Sequence, residues 1–125
     1  MTRNLLLAVV TLLALAAGAL AADVTGTWVA QVPGRDGNMM ETTFVLKQAG
    51  ESLTGSMENQ FGQREISDGK VSGDDLTFNV YIEFNGNKMT LAFTGKAAGS
   101  EIKFKRERKG GDAGPSNAEF VAKKK

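Results

Sequence analysis

The chain offers few residues able to do covalent chemistry. It contains no histidine and no cysteine, which removes the commonest general base, the thiol nucleophile and the usual transition-metal ligands. Asp68, Asp74 and Asp75 are carboxylates close in sequence. A glycosidase needs two carboxyls facing each other across a cleft, but adjacent residues such as Asp74 and Asp75 point to opposite faces of a strand. A calcium loop needs about six oxygens from one segment, and no Asp-x-Asn-x-Asp spacing occurs. All three aspartates read as turn residues, a role Asp fills by bonding to nearby backbone. No Gly-rich turn opens a helix to cradle a phosphate. These features predict a protein that is not an enzyme and that carries no cofactor and no metal.

Ligand-binding chemistry is better represented. If Phe104 points into a core, strand parity carries Arg106 and Arg108 inward with it and leaves Lys103, Lys105 and Glu107 outside. Asn59 shares the parity of Leu53 and Met57. An arginine near a barrel mouth can pair with an anionic ligand. The stronger expectation is that the strand has left the core by then and its arginines lie on the rim in water, because charged side chains are rarely buried without a partner. Phe61, Tyr81 and Phe120 are too scattered to form a nucleic-acid stacking platform. The expected partner is an unidentified small molecule or a component of the cell envelope or extracellular space.

The elements that position these residues are strands. Period-two alternation recurs after residue 22 and is interrupted at short intervals by Gly-containing turns, the form of an antiparallel meander. The strands are expected over 24–32, 40–48, 53–59, 65–72 (bulged near Asp68-Gly69), 76–84, 89–95, 102–108 and 118–123, with a looser stretch over 60–64 and a flexible loop over 110–117. Ala49-Gly50-Glu51-Ser52, Ser72-Gly73-Asp74-Asp75 and Ala98-Gly99-Ser100-Glu101 each put Gly first in a two-residue turn, as type II′ requires, and Asn85-Gly86 is a type I′ signal. Residues 68–78 and 94–104 echo each other through Gly-Lys, a small pair, Gly, a polar residue, an acid, an aliphatic and Phe. Turn chemistry and pleat explain that echo without a shared ligand site.

Eight such strands are best satisfied by closing on themselves, which removes both sheet edges. The fold class is therefore all-β: a small eight-stranded antiparallel up-and-down barrel. An open two-sheet sandwich is the alternative. The inward set is Trp28, Ala30, Val32, Phe44, Leu46, Leu53, Met57, Phe78, Val80, Ile82, Phe84, Met89, Leu91, Phe93, Ile102, Phe104 and Phe120. Its phenylalanines predict a barrel filled by side chains.

A different segment precedes the barrel. Arg3, the uncharged apolar run from Leu5 to Ala17, and Ala19-Leu20-Ala21 form the three parts of an export signal. The run is short for a membrane span, which takes about 20 apolar residues. The reading is a cleaved signal peptide over 1–21 and one domain over 22–125, secreted to the periplasm or beyond, an uncleaved anchor being the alternative. With no disulfide available, the core must hold the fold unaided. Residues 22–102 hold six basic and eleven acidic residues, whereas 103–125 hold eight basic and three acidic. The basic end, finishing in a Lys123–Lys125 tail, reads as a solvated strand and tail.

Val24-Thr-Gly26-Thr-Trp28, followed by Glu51-Ser-Leu53-Thr54-Gly55-Ser56, resembles the first three strands of the avidin and streptavidin family, a calycin-type barrel. The resemblance implies an eight-stranded barrel in which Trp28 is a structural plug at one end. It also implies a binding role for Asn59, which matches a polar contact position. At two further biotin-contacting positions this chain has Ala30 and Met57, a departure that predicts no avidin-like biotin binding. A closer likeness is to short exported bacterial proteins of unassigned function, carried by Gly26-Thr27-Trp28, Ile66 to Val71, Thr94 to Lys96, Glu101 to Phe104 and Phe120 to Lys123.

Overall fold

The computed structural model of the chain describes residues 23–34, 37–110 and 116–125. The signal peptide expected over 1–21 lies outside the described residues. The rest is strand and tight turn: β1 (Gly26–Pro33), β2 (Met39–Ala49), β3 (Ser52–Asn59), β4 (Gly62–Glu65), β5 (Ser67–Ser72), β6 (Asp75–Phe84), β7 (Asn87–Ala98), β8 (Glu101–Gly110) and β9 (Ser116–Lys124).

The turns behave as their residues require. Gly50, Gly73 and Gly99 sit at φ +62°, +59° and +63° while the residue after each keeps a negative φ, the type II′ pattern. Asn85 and Gly86 both take positive φ, 52° and 81°, the type I′ pattern. Such tight turns pair each strand with the next, antiparallel throughout. β1 then pairs with β9, setting Ala30 against Ala122, and the sheet closes. β4 and β5 both lie along β3, with Met57 opposite Arg64 and Leu53 opposite Gly69. They are one barrel strand broken at Ile66, whose N–H still donates to Gly55 O at 3.1 Å. The result is an eight-stranded, closed up-and-down barrel; the sandwich alternative fails because the first and last strands pair with each other.

Three expected boundaries move. The stretch over 60–64 is not loose: Asn59 Oδ1 accepts the Phe61 N–H at 2.8 Å, the chain reverses, and β4 begins at Gly62. The basic end is not a free tail. Lys123 and Lys124 belong to β9, and the N–H groups of Lys124 and Lys125 donate to Ser100 O at 2.8 Å and Thr27 O at 2.9 Å. Backbone pairing to two neighbouring strands outweighs the repulsion of three exposed lysines. Of the loop expected over 110–117, Gly110, Ser116 and Asn117 are strand, and residues 111–115 lie outside the described residues.

The core follows the alternation. All the expected inward residues whose side chains are described are buried or packed against the core, and Val24, Ile66, Val71, Leu76 and Ala122 join them; the side chain of Phe84 lies outside the described residues. Val71 faces inward because the bulge between Ser67 and Lys70 shifts the parity of β5 against β6. Five phenylalanines meet at the centre. Ring centroids of Phe78, Phe93, Phe104 and Phe120 lie 6.0, 5.6, 5.3 and 6.1 Å from that of Phe44. Such pairs each add about 0.5–1.5 kcal/mol beyond the area they bury, and together they fill the barrel.

The internal echo has a packing cause as well as a turn cause. Gly69 and Gly95 hold equivalent places, and a Cβ on either would collide: with Leu53 O at 2.1 Å for Gly69, and with Phe104 Cε1 at 2.8 Å for Gly95. The paired phenylalanines of the echo, Phe78 and Phe104, touch edge to face with centroids 5.9 Å apart.

Candidate functional site

The barrel has two unlike ends. One carries the β2–β3, β5–β6 and β7–β8 turns together with Asp23 and Lys125. Trp28 closes it, almost fully buried, with its indole N–H donating to Val24 O at 3.0 Å. Val24 is held in turn by Gln48 Oε1, which accepts its N–H at 3.0 Å. The one polar atom of the indole is thus engaged within the fold, and the ring is buried.

The other end carries the β1–β2, β3–β4, β6–β7 and β8–β9 connections, and it is where charge enters the barrel. Arg106 stands opposite Phe93 and Ala118 in the ladders, and Arg108 opposite Leu91 and Ser116. Both arginines are half-buried while Lys105 and Glu107 between and beside them are exposed, so the inward parity set by Phe104 holds through Arg108. β8 stays in the barrel over its whole length and does not peel off into water.

The environment of these two arginines is unusual. The Nε of each is buried and has no hydrogen-bond partner among the described residues. Among the described residues Arg106 makes one long bond, Nη1 to Pro33 O at 3.5 Å. Burial first, and then the charge of Arg108, lower the pKa of Arg106 from its ordinary value. A buried donor left without an acceptor costs about 1–3 kcal/mol, and two like charges on one face add to that. Along the same end the acids Glu41, Glu58, Glu65, Glu83 and Glu107 are all exposed, on the outward parity. Among the described residues no carboxylate answers either guanidinium.

Asn59 lies at this end too, half-buried, but its side-chain oxygen is spent on the Phe61 N–H in closing the β3–β4 turn. Arg106 and Arg108 keep open hydrogen-bonding capacity at the Nε atoms. The sequence reading missed a third arginine, Arg64, which pairs with inward-facing Met57 and is half-buried. Extending the Met57 parity through a two-residue turn at Gln60-Phe61 would have found it. Met40, Ile82 and Met89, also half-buried, give the mouth apolar surface between its cations.

The aspartates do not form a site. Asp74 and Asp75 are exposed at the β5–β6 turn. Asp68 lies in the β5 bulge at φ +56°, and its carboxylate accepts bonds from Tyr81 Oη at 2.5 Å and Asn79 Nδ2 at 3.2 Å on the outer face. The Tyr81 bond chiefly lowers the Asp68 pKa, and the same bond raises that of Tyr81. Among the described residues no group of three acids is placed to hold a metal ion, and no helix is long and apolar enough to cross a membrane. Two shallow concavities lie on the outer surface. One is lined by residues that include Ala92, Thr94, Lys105, Arg106, Glu107 and Glu119, with Lys105 and Glu119 paired at 3.5 Å, and the other by Glu51, Ser52, Lys70 and Ser72 among others.

The strand order and closure are compatible with a calycin-like barrel. Comparison of the chain with protein-family models, with curated proteins and with solved structures finds no match.

Proposed function

We propose that this chain is an exported, non-enzymatic binding module that engages its ligand at the arginine-bearing mouth of a filled barrel. The observation that carries the reading is the pair of buried, unpartnered Nε atoms of Arg106 and Arg108. Buried polar groups in folded proteins are nearly always bonded, and those that are not call for a functional reason. The phenylalanine cluster leaves the ligand no room at the barrel centre, so recognition takes place at the end, against Arg106, Arg108 and the neighbouring apolar side chains. Export rests on the tripartite pattern over residues 1–21. The absence of histidine and cysteine from the sequence and the dispersed placement of the aspartates support a role without catalysis.

The same filled interior favours a second reading: a structural or accessory domain with no small-molecule site, in which the two arginines only keep the mouth wet. Backbone amide NMR of the purified protein, titrated with a chemically diverse fragment set including neutral compounds, separates the two. Binding at the mouth moves amides of residues 104–110 and 32–34 together. A set in which no compound moves those amides supports the structural reading. Intact-mass measurement of the exported protein should give an N-terminus at Ala22 or Asp23; retention of residues 1–21 on a membrane would overturn the export assignment.

A further inference from the structure

We propose that the guanidinium groups of Arg106 and Arg108 form a receptor for an oxyanion, a carboxylate or phosphate carried at the end of a ligand whose body stays outside the barrel. The inference rests on the binding reading above and specifies its ligand class.

Four features converge on an oxyanion. First, residues two apart on one strand project from the same face, so the two guanidiniums are neighbours by construction and not by side-chain chance. Second, each Nε is buried with no acceptor, and Nε with one terminal nitrogen is the edge of the guanidinium fork that takes a carboxylate or phosphate with two parallel bonds. Third, the acids of that end, among the described residues, all lie on the outward parity, so the chain itself shows no answering charge. Fourth, Leu91 and Phe93 are the ladder partners of the two arginines and both are buried. A bound oxyanion therefore sits against an apolar floor, where charge-assisted bonds are least weakened by water. Burial and mutual repulsion already lower the Arg106 pKa; an anion between the two side chains relieves both.

The filled interior limits what the oxyanion can be attached to. With Phe44, Phe78, Phe93, Phe104 and Phe120 in mutual contact, a long chain has nowhere to go inside. The ligand presents its anionic end to the mouth and rests its nearer apolar atoms on Met40, Ile82 and Met89.

Arginine Nε–H signals can be followed directly by NMR. Acetate and inorganic phosphate, titrated separately at fixed ionic strength against chloride, should move the Nε–H signals of Arg106 and Arg108 downfield and saturate. Which of the two binds more tightly identifies carboxylate or phosphate as the natural group. Arg106→Met and Arg108→Met should each weaken binding about tenfold or more, through loss of one guanidinium fork. Met is long and apolar, and the melting temperature should hold or rise when an unpaired donor is removed. Arg108→Lys keeps charge without the fork and should recover only part of the affinity. Lys103→Ala and Lys105→Ala, on the outer face, should leave binding unchanged. Anion binding lost equally in the lysine variants, or saturable shifts absent from both Nε–H groups, would overturn the assignment. So would Nε–H signals already downfield without added anion that revert in Asp36→Asn or Asp112→Asn, since the chain would then supply its own counter-ion. A neutral fragment that binds the mouth while acetate and phosphate do not would sink the oxyanion class yet leave the binding module standing.

Discussion

Lys124 Nζ lies 5.8 Å from the centre of the Trp28 ring, and its stem crosses the space that a side chain at Gly26 would occupy, Cε standing 2.9 Å from that Cβ position. The Gly-Thr-Trp segment is thus read by the last strand: glycine lets the lysine lie across the indole, and Trp28 is paired with Lys124 in the β1–β9 ladder that closes the barrel. An exposed cation–π contact adds only about 0.5–1 kcal/mol. The buried ring beneath it carries most of the stabilisation.

Replacing Trp28 with Ala removes the plug and leaves a cavity, at an expected cost of about 3–5 kcal/mol. Trp28→Phe keeps much of the apolar volume but leaves Val24 O without its donor, and should cost less. Chemical denaturation of both variants checks the order; a Trp28→Ala protein with an unchanged midpoint would show that the ring does not hold that end.

Gly55 explains the Leu-Thr-Gly segment. It sits at φ +146°, and a Cβ there would lie 1.8 Å from Val45 O on the neighbouring strand. Two backbones must separate to admit any side chain. Gly55→Ala should destabilise by about 1–3 kcal/mol from overpacking, with backbone strain in addition. Gly86→Ala, at φ +81° with open space around it, bears only the left-handed backbone cost of about 1–2 kcal/mol. Equal denaturation midpoints for the two variants would contradict the close approach of β2 and β3.

The Asp68–Tyr81 bond makes a pH prediction. Asp68 has a folded pKa below its ordinary value of 3.8, so the stability it contributes is fully present above that value and is lost as the pH falls through the folded pKa. Tyr81 is raised from 10.0, so its contribution is present below that value and lost as the pH rises through the folded pKa. Between the two the bond is constant. In Tyr81→Phe the Asp68 pKa should move up towards its ordinary value, held partly down by Asn79. Carbon NMR of the Asp68 carboxyl reads this directly, and an unchanged titration would mean that the hydroxyl is not its main partner.

Biotin should not bind with avidin-like strength. Ala30 and Met57 are buried in the wall at 2 % and 5 % exposure and offer no polar atom to a ureido group, and the ring cluster occupies the centre. Each buried polar atom left unpaired costs about 1–3 kcal/mol, and every 1.4 kcal/mol is about tenfold in affinity. Calorimetry is expected to show no submicromolar binding; a nanomolar isotherm would mean that the barrel opens in a way its packing does not suggest.

The sequence alone determined the barrel. Gly at the first turn position in Gly50, Gly73 and Gly99, the Asn85-Gly86 pair and the alternation between them are local properties, and local properties specify neighbouring-strand pairing and which face is apolar. It raised the inward parity of Arg106 and Arg108, because parity propagates along a strand from Phe104, but it favoured arginines on the rim in water. Only the tertiary structure decided that β8 keeps its place to Gly110, that both Nε atoms end buried without an acceptor, and that Asn59 is spent on a turn. It likewise placed Arg64 at the same mouth and joined Asp68 to Tyr81 across a bulge. Those outcomes depend on where the sheet closes and how far each strand is staggered against the next. Backbone pairings between residues as far apart as Ala30 and Ala122 set that stagger, and no short window along the chain contains both.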